Sequence, residues 1–238
     1  MTSAGESQGR SPYEDFAAEY ARENESNVWN ALYERPAALA LLGDVAGLRV
    51  LDAGCGAGAH AAALLERGAL VTAVDASPAM VALASERVRD DARVTQADLA
   101  EPLPFENGSF DAVLCSLVLH YLRDWGPVLG ELHRVLVPGG LFVMSTHHPF
   151  MDHELAGGED YFATYEIFEQ WVKAGETMSV RFWHRPLGAM TDALKGAGFV
   201  LERLEEPAPD PSVREIDPDA WRRLTSEPRF IFFVARAA

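Results

Sequence analysis

The sequence predicts an α/β protein with a doubly wound, Rossmann-like and mostly parallel sheet. Three observations support this: short apolar runs alternate with helical patterns, a glycine-rich turn follows the first apolar run, and acidic residues close the first three runs. Alternating strands and helices at short spacing run parallel, because each helix returns the chain to the same edge of the sheet. With 238 residues, 48% of them hydrophobic, the chain suits one domain with an insertion.

The first four predicted strands are apolar runs before a helix or a turn. They span residues 49–53, 71–75, 93–97 and 110–115. Ser77 and Pro78 begin the helix after the second strand, with serine as the N-cap and proline at the first helical position. These strands are expected to form the half of the sheet that carries the glycine-rich turn.

Three further strands are predicted at residues 141–146, 199–204 and 230–235. The segment 147–185 breaks the alternation, is rich in aromatic, glycine and acidic residues, and is interpreted as a lid insertion. Two helices, near 13–22 and 28–42, precede the first strand. The expected organisation is a disordered tail at 1–11, an N-terminal helical lid at 12–44 and a sheet domain at 45–238 that includes the insertion.

Charge and composition argue against several classes of partner. Acidic residues outnumber basic residues by 36 to 20, and the resulting net charge of −16 argues against nucleic-acid binding. No apolar stretch approaches the length of a membrane span, and the first residues lack a signal pattern, so a cytoplasmic protein with no membrane partner is expected. Cys55 and Cys115 are too few for a disulfide framework.

The glycine-rich turn at residues 52–58 and the acids near it predict a site for a nucleoside cofactor. Its glycines let a ligand lie against the backbone, where a Cβ would collide. Asp75, closing the second strand, can accept hydrogen bonds from both ribose hydroxyls, and Asp98, closing the third, from an adenine amino group. The turn also fits the dinucleotide pattern G-x-G-x-x-G/A, so glycines alone do not identify the cofactor.

Charge favours a cationic cofactor. Asp52 would lie beside the pyrophosphate of a dinucleotide, where an anion is unfavourable. No Arg or Lys is expected close to the turn to hold phosphates. Three carboxylates around one pocket suit the sulfonium and ammonium of S-adenosylmethionine. A non-catalytic S-adenosylmethionine-binding protein is one alternative, and an NAD-dependent oxidoreductase is a less favoured one.

Five motifs occur in order along the chain, at residues 50–58, 74–80, 96–99, 103–113 and 133–140. Together they resemble class I S-adenosylmethionine-dependent methyltransferases (methyltransferase domain 11), the group that includes ubiquinone, menaquinone and natural-product methyltransferases. The resemblance covers about residues 30–146. It implies a seven-stranded sheet in the order 3-2-1-4-5-7-6, with strand 7 antiparallel to the others.

The resemblance also implies cofactor contacts, most of them at the carboxyl ends of strands. The residues implied at the methionine end are Asp52, Ala53, Gly54, Cys55, Gly56, Gly58 and Ser116. Those implied around ribose and adenine are Asp75, Ala76, Met80, Asp98 and Leu99. Tyr33 lies in a helix similar to those that close over the cofactor. Cys55 has no paired base and is interpreted as a small loop residue, not a nucleophile.

Methyl transfer is a one-step displacement, so the protein mainly aligns the reactants and excludes water. A hydroxyl acceptor needs a base, and histidine serves near neutral pH. The candidates, in order, are His148, His120 and His184, and for each of them a packing role is the alternative. Aromatic residues in the N-terminal helices and the insertion predict a small aromatic or apolar acceptor, with O-methylation slightly favoured over C- or N-methylation. No metal is expected, and a homodimer would be unsurprising.

Overall fold

The structure is a computed structural model that describes residues 17–158, 160–173 and 176–238. Within these residues, nine strands form a large sheet and a separate hairpin. The strands are Arg49–Ala53 (β1), Leu70–Asp75 (β2), Arg93–Gln96 (β3), Phe110–Ser116 (β4), Leu136–His147 (β5), Tyr165–Lys173 (β6), Glu176–His184 (β7), Phe199–Glu205 (β8) and Phe230–Ala237 (β9). The predicted tail at 1–11 and the start of the predicted helix at 13–22 lie outside the described residues.

The large sheet has the order β3-β2-β1-β4-β5-β9-β8. Strands β1 to β5 pair in parallel, and β9 pairs antiparallel with both β5 and β8. Because β8 and β9 correspond to the sixth and seventh predicted strands, the predicted order and the antiparallel final strand are confirmed. The parallel strands bring several chain segments to one edge of the sheet, outside their carboxyl ends.

Helices cover both faces of this sheet. They are Ala17–Ser26 (α1), Arg35–Leu42 (α2), Ala59–Glu66 (α3), Pro78–Val88 (α4), Gly126–Val135 (α5), Pro149–Leu155 (α6), Leu187–Gly196 (α7), Val213–Ile216 (α8) and Pro218–Leu224 (α9). A π-helical turn, Asn30–Glu34, runs directly into α2. The predicted cap of α4 is confirmed, since the Met80 N–H donates to Ser77 Oγ over 3.2 Å. None of the described helices combines the length and the apolar character that crossing a bilayer requires.

Two local features differ from the sequence prediction. The fifth strand starts at Leu136, five residues before its predicted start. Leu136 pairs with Phe110, and an irregularity in the strand pairing accommodates the Pro-Gly-Gly that follows. The segment after β5 contains α6 and the antiparallel hairpin β6–β7. One face of the hairpin packs Ile167, Val180 and Phe182 into a small apolar core of its own. The other face is turned toward the carboxyl edge of the sheet.

Candidate functional site

A cavity of about 550 Å³ lies outside the carboxyl ends of β1, β2 and β4. Its floor contains the turn after β1, and its sides are formed by the N-terminal helices and by the β6–β7 hairpin. Nine of the predicted cofactor residues line it. They are Gly54, Cys55, Gly56, Asp75, Ala76, Met80, Asp98, Leu99 and Ser116.

The turn after β1 is shaped by glycine and by Asp75. The Gly56 N–H donates to Asp75 Oδ2 over 2.8 Å, and the Ser77 N–H donates to Oδ1 over 2.9 Å. Gly54 has a φ of +81°, and a Cβ there would lie 2.3 Å from a methyl carbon of Val118. At Gly56, by contrast, a Cβ would meet nothing within 4 Å, so the turn leaves its backbone open there, as a nucleoside ligand requires.

Four predicted cofactor residues lie behind the cavity wall. Tyr33 is buried and stacks on Phe230 at 5.4 Å. Ala53 is fully buried in β1, and Gly58 packs against α4, where a Cβ would come within 3.1 Å of the Ala84 backbone. Asp52 is 1% exposed, and burial raises its pKa to about 6. These residues support the cavity from beneath.

A buried carboxylate that the sequence analysis missed, Glu34, lies at the end of the π-helical turn. It is 1% exposed, and its Oε1 accepts hydrogen bonds from Ser116 Oγ at 2.7 Å and Ser145 Oγ at 2.6 Å. Its Oε2 lies 3.1 Å from Nε2 of His60, which lines the cavity. An available signal was the spacing of Glu34, Ala38 and Leu42, which places the acid on a buried apolar stripe.

The charges of this pair support each other. Burial alone would raise the pKa of Glu34, but His60 and the two serine hydroxyls hold it below its usual value. Burial alone would lower the pKa of His60, but Glu34 and then Asp52 raise it. The site therefore contains a carboxylate and an imidazole, next to the glycine turn, in which each group favours the charged form of the other.

The expectation that no cationic side chain stands near the turn is wrong. Arg35, from α2, lines the cavity, and Arg87, from α4, donates from Nε to the Ala57 carbonyl over 2.8 Å. Both lie far from residues 52–58 in sequence, and helix packing brings them there. Asp52, Asp75 and Asp98 remain close to the same floor, so the surroundings suit a zwitterionic ligand better than a bare diphosphate.

The opposite end of the cavity is formed by Tyr121, Leu122 and one face of the hairpin. Strand pairing sets Glu166 opposite Trp183 on that face. The Arg123 guanidinium lies 5.2 Å from the centre of the Trp183 ring. Arg181 lies 3.7 Å from Glu166 and is well exposed. This end therefore offers an aromatic surface with a polar rim.

The three candidate bases lie outside the cavity lining. His148 caps α6: the Phe150 N–H donates to its Nδ1 over 3.2 Å, and its Nε2 lies 2.8 Å from Glu206. His184 is fully buried and hydrogen-bonds through Nε2 to the Tyr161 carbonyl at 2.9 Å. His120 is 2% exposed, and its ring centre lies 4.1 Å from that of Tyr121, which does line the cavity. His120 is therefore the candidate in contact with the wall.

Behind His120, His147 and Asp152 form a buried pair, and burial shifts their pKa values in opposite directions. His120 stacks on His147 at 3.9 Å, and His147 Nδ1 lies 3.3 Å from Asp152 Oδ1. Burial, with a smaller effect from Arg229, lowers the pKa of His147 to about 3. Burial raises the pKa of Asp152 to about 7. At acidic to near-neutral pH the pair is therefore largely an uncharged imidazole facing a carboxylic acid.

The wall between floor and acceptor end begins with a backbone bend at Leu117. Its φ of 52° lies in the left-handed region, which non-glycine residues rarely adopt. The Leu117 N–H is held by the Ser145 carbonyl at 3.0 Å and by Ser145 Oγ at 3.1 Å. The bend turns the chain from β4 toward Tyr121.

Known proteins share this architecture. A family model described as a methyltransferase domain matches residues 51–144. The solved structure of an S-adenosylmethionine-dependent methyltransferase from Mesorhizobium loti is 31% identical, with a TM-score of 0.68, over 84% of this chain and 96% of that chain.

Two curated relatives match part of the chain. The demethylmenaquinone methyltransferase of Tropheryma whipplei is 39% identical over 116 residues, 48% of this chain and 48% of that protein. The ubiquinone biosynthesis O-methyltransferase of Xanthomonas oryzae pv. oryzae is 39% identical over 109 residues, 43% of this chain and 44% of that protein. The match to each enzyme thus spans less than half of it. With the Mesorhizobium loti match and the glycine turn beside Asp75, these similarities show that the chain belongs to the S-adenosylmethionine-dependent methyltransferase family and that its cofactor is S-adenosylmethionine.

Proposed function

We propose that this protein methylates a small organic acceptor that binds between Tyr121 and the β6–β7 hairpin. The observation that supports this is one cavity of about 550 Å³ reaching from Gly54 and Asp75 to Trp183. Its volume falls within the range of roughly 300–1,000 Å³ that is usual for small-molecule sites. Donor and acceptor can therefore occupy one enclosure.

The chain's own residues align and enclose the reactants. The bound cofactor supplies a methyl group activated by its sulfonium. Asp75 and the backbone of the glycine turn hold the nucleoside, while Ser116 and Glu34 lie at the methionine end. The N-terminal helices and the hairpin act as two covers that keep water out, which favours direct in-line displacement.

The acceptor that fits best is a flat aromatic molecule with a polar substituent. Trp183 and Tyr121 offer aromatic surface, and Arg181 and Glu166 lie at the rim. The names of two relatives refer to demethylmenaquinone and to ubiquinone biosynthesis, which supports an aromatic acceptor bearing oxygen. We favour O-methylation because the name of the second relative specifies it.

His120 is our preferred base for a hydroxyl acceptor. Its ring contacts Tyr121 in the cavity wall at 4.1 Å. Burial first, and then His147, lowers the pKa of His120 well below its usual value, so the ring is neutral near pH 7 but a weaker base than a free imidazole. Among the described residues, neither ring nitrogen has a hydrogen-bond partner. His148 and His184, by contrast, each use a ring nitrogen in a bond to the fold.

Replacing His120 with Asn tests this role. We expect kcat to fall about 10²-fold with unchanged affinity for S-adenosylhomocysteine, since general-base catalysis contributes about 10²–10⁴-fold. His148→Asn is the matched control and should leave kcat within a few-fold of wild type. Equal kcat values for the His120 variant and wild type would assign His120 to packing.

The acceptor itself is found by a transfer assay. Phenols, amines and activated carbon acids are incubated with the protein and methyl-labelled S-adenosylmethionine, and products are identified by mass spectrometry. We expect labelled ethers from phenols with one additional polar group. A protein that binds the cofactor but labels nothing in all three classes would support the non-catalytic alternative.

A further inference from the structure

Glu34 connects the N-terminal segment to three elements that carry the cavity floor. Its carboxylate accepts hydrogen bonds from Ser116 at the end of β4 and from Ser145 in β5. It also lies 3.1 Å from His60, in the first turn of α3. Ser116 and His60 both line the cavity, whereas Glu34 lies beneath them and is 1% exposed.

Stability alone is a weak reason for this arrangement. Removing two charges from water is costly, and well-packed apolar residues often serve a core as well or better. The pair nevertheless lies directly below the cofactor cavity. A role toward the ligand therefore accounts for the pair better than a role in folding.

The pair controls the charge of a group that faces the cavity. Glu34 and then Asp52 raise the pKa of His60 and so favour its imidazolium form, against the effects of burial and Arg35. Its Nε2 is turned toward Glu34, and no hydrogen bond joins its Nδ1 to any residue in the described part of the chain. The Nδ1–H is a charge-assisted donor for a ligand carboxylate.

We propose that Glu34 is a positioning residue that keeps His60 charged and aimed at the carboxylate of the cofactor's methionine end. Arg35, the next residue along the chain, lines the same cavity. The N-terminal segment thus contributes Glu34, which controls the charge of His60 from below, and Arg35, a cation at the side of the cavity. The inference rests on the cofactor assignment and concerns the amino-acid end of that ligand alone.

Two ligands separate this role from general support of the fold. S-adenosylhomocysteine carries the amino-acid end, whereas 5′-methylthioadenosine has the same nucleoside without it. We expect Glu34→Gln to weaken S-adenosylhomocysteine binding at least about tenfold, as expected for loss of a charged hydrogen bond. Binding of 5′-methylthioadenosine should stay within about twofold by calorimetry at pH 7.5, because Asp75 and Asp98 still hold its ribose and adenine.

Glu66→Gln is the matched control, since Glu66 is exposed at the far end of the same helix as His60. It should bind both ligands as wild type does. Equal weakening of both ligands by Glu34→Gln, or no weakening of either, overturns the proposal. A wild-type protein that binds neither ligand overturns the cofactor assignment and this inference with it.

A second variant keeps the test decisive if Glu34→Gln does not fold. His60→Gln leaves Glu34 and both serine hydrogen bonds in place, and should show the same selective loss. In the double variant, Glu34→Gln should add less than about threefold to the loss from His60→Gln, because the two act as one unit. Full additivity overturns the proposal.

The pH dependence gives an independent readout. The groups facing His60 are Glu34, Asp52 and Arg35. Because Glu34 raises the pKa of His60, wild type should hold S-adenosylhomocysteine to higher pH than Glu34→Gln. The ratio of the two affinities should therefore shrink as the pH falls and the variant's His60 becomes protonated. Asp52 titrates in both proteins. A ratio independent of pH contradicts the inference.

Discussion

At the scale of single residues, we propose that Asp75 has the most direct part in ligand binding. Its two oxygens already accept the Gly56 and Ser77 N–H groups, which fixes the carboxylate at the cavity edge. Each carboxylate oxygen can accept a further hydrogen bond, so ribose hydroxyls can bind without displacing the backbone donors. We therefore propose that the side chain that shapes the turn also recognises the sugar.

The variant Asp75→Asn tests this double role. We expect S-adenosylhomocysteine affinity to fall about tenfold to a hundredfold, because hydrogen bonds to a charged group contribute about 1.5–3 kcal/mol. Asp111→Asn is the control, since Asp111 pairs with Arg49 at the opposite end of the strands. Calorimetry of both variants gives the comparison. Similar affinities for the two would show that Asp75 does not contact the ligand.

Residues at strand ends were the ones that sequence could locate. Asp75, Asp98 and Ser116 each follow an apolar run, and parallel strands bring such positions to one edge. Arg35 and His60 belong to helices whose direction over the cavity depends on tertiary packing, so no local pattern placed them. For the histidine candidates, the sequence predicted which strands they lie beside, but not that their rings are buried outside the cavity lining.

At the scale of elements, the β6–β7 hairpin separates two environments. Alternation along β7 sends Val180 and Phe182 into its apolar core and Arg181 and Trp183 toward the cavity. The sequence predicts an insertion over the site in this region, but not a hairpin. The period-two pattern was present, but aromatic and charged residues on both faces obscured it.

Trp183 should matter to the acceptor and not to the cofactor. We expect Trp183→Ala to raise the acceptor KM about tenfold through lost ring contact, with unchanged S-adenosylhomocysteine affinity. Phe168→Ala is the control on the same hairpin, because Phe168 is 68% exposed and lies outside the cavity lining. Steady-state kinetics with the acceptor found by the transfer assay measures both. An unchanged KM for Trp183→Ala would place the acceptor elsewhere.

At the scale of the whole molecule, stability depends on pH through the buried pair of His147 and Asp152. The lowered pKa of His147 gives stability that is present above its unfolded value and lost as the pH falls toward about 3. The raised pKa of Asp152 gives stability that is present below its unfolded value and lost as the pH rises through about 7. The two effects oppose each other across the acidic range.

Asp152→Asn removes one of these effects. We expect the free energy of unfolding of the variant, relative to wild type, to increase between pH 4 and pH 7 and then to level off. Over that range Asp152 ionises in unfolded wild type but stays protonated in the folded protein, which destabilises wild type alone. Urea unfolding at several pH values, without ligand, measures the difference. A difference that is constant with pH would mean that Asp152 is ionised in the folded protein throughout.

The left-handed bend at Leu117 has a consequence for how this enzyme can diversify. The bend is held by Ser145 through backbone and hydroxyl bonds, and therefore does not depend on the side chains that follow it. Tyr121 and Leu122 can then be exchanged by evolution or by a designer while the nucleoside floor keeps its geometry. A library randomised at Tyr121 and Leu122 is accordingly the economical starting point for changing which molecule receives the methyl group.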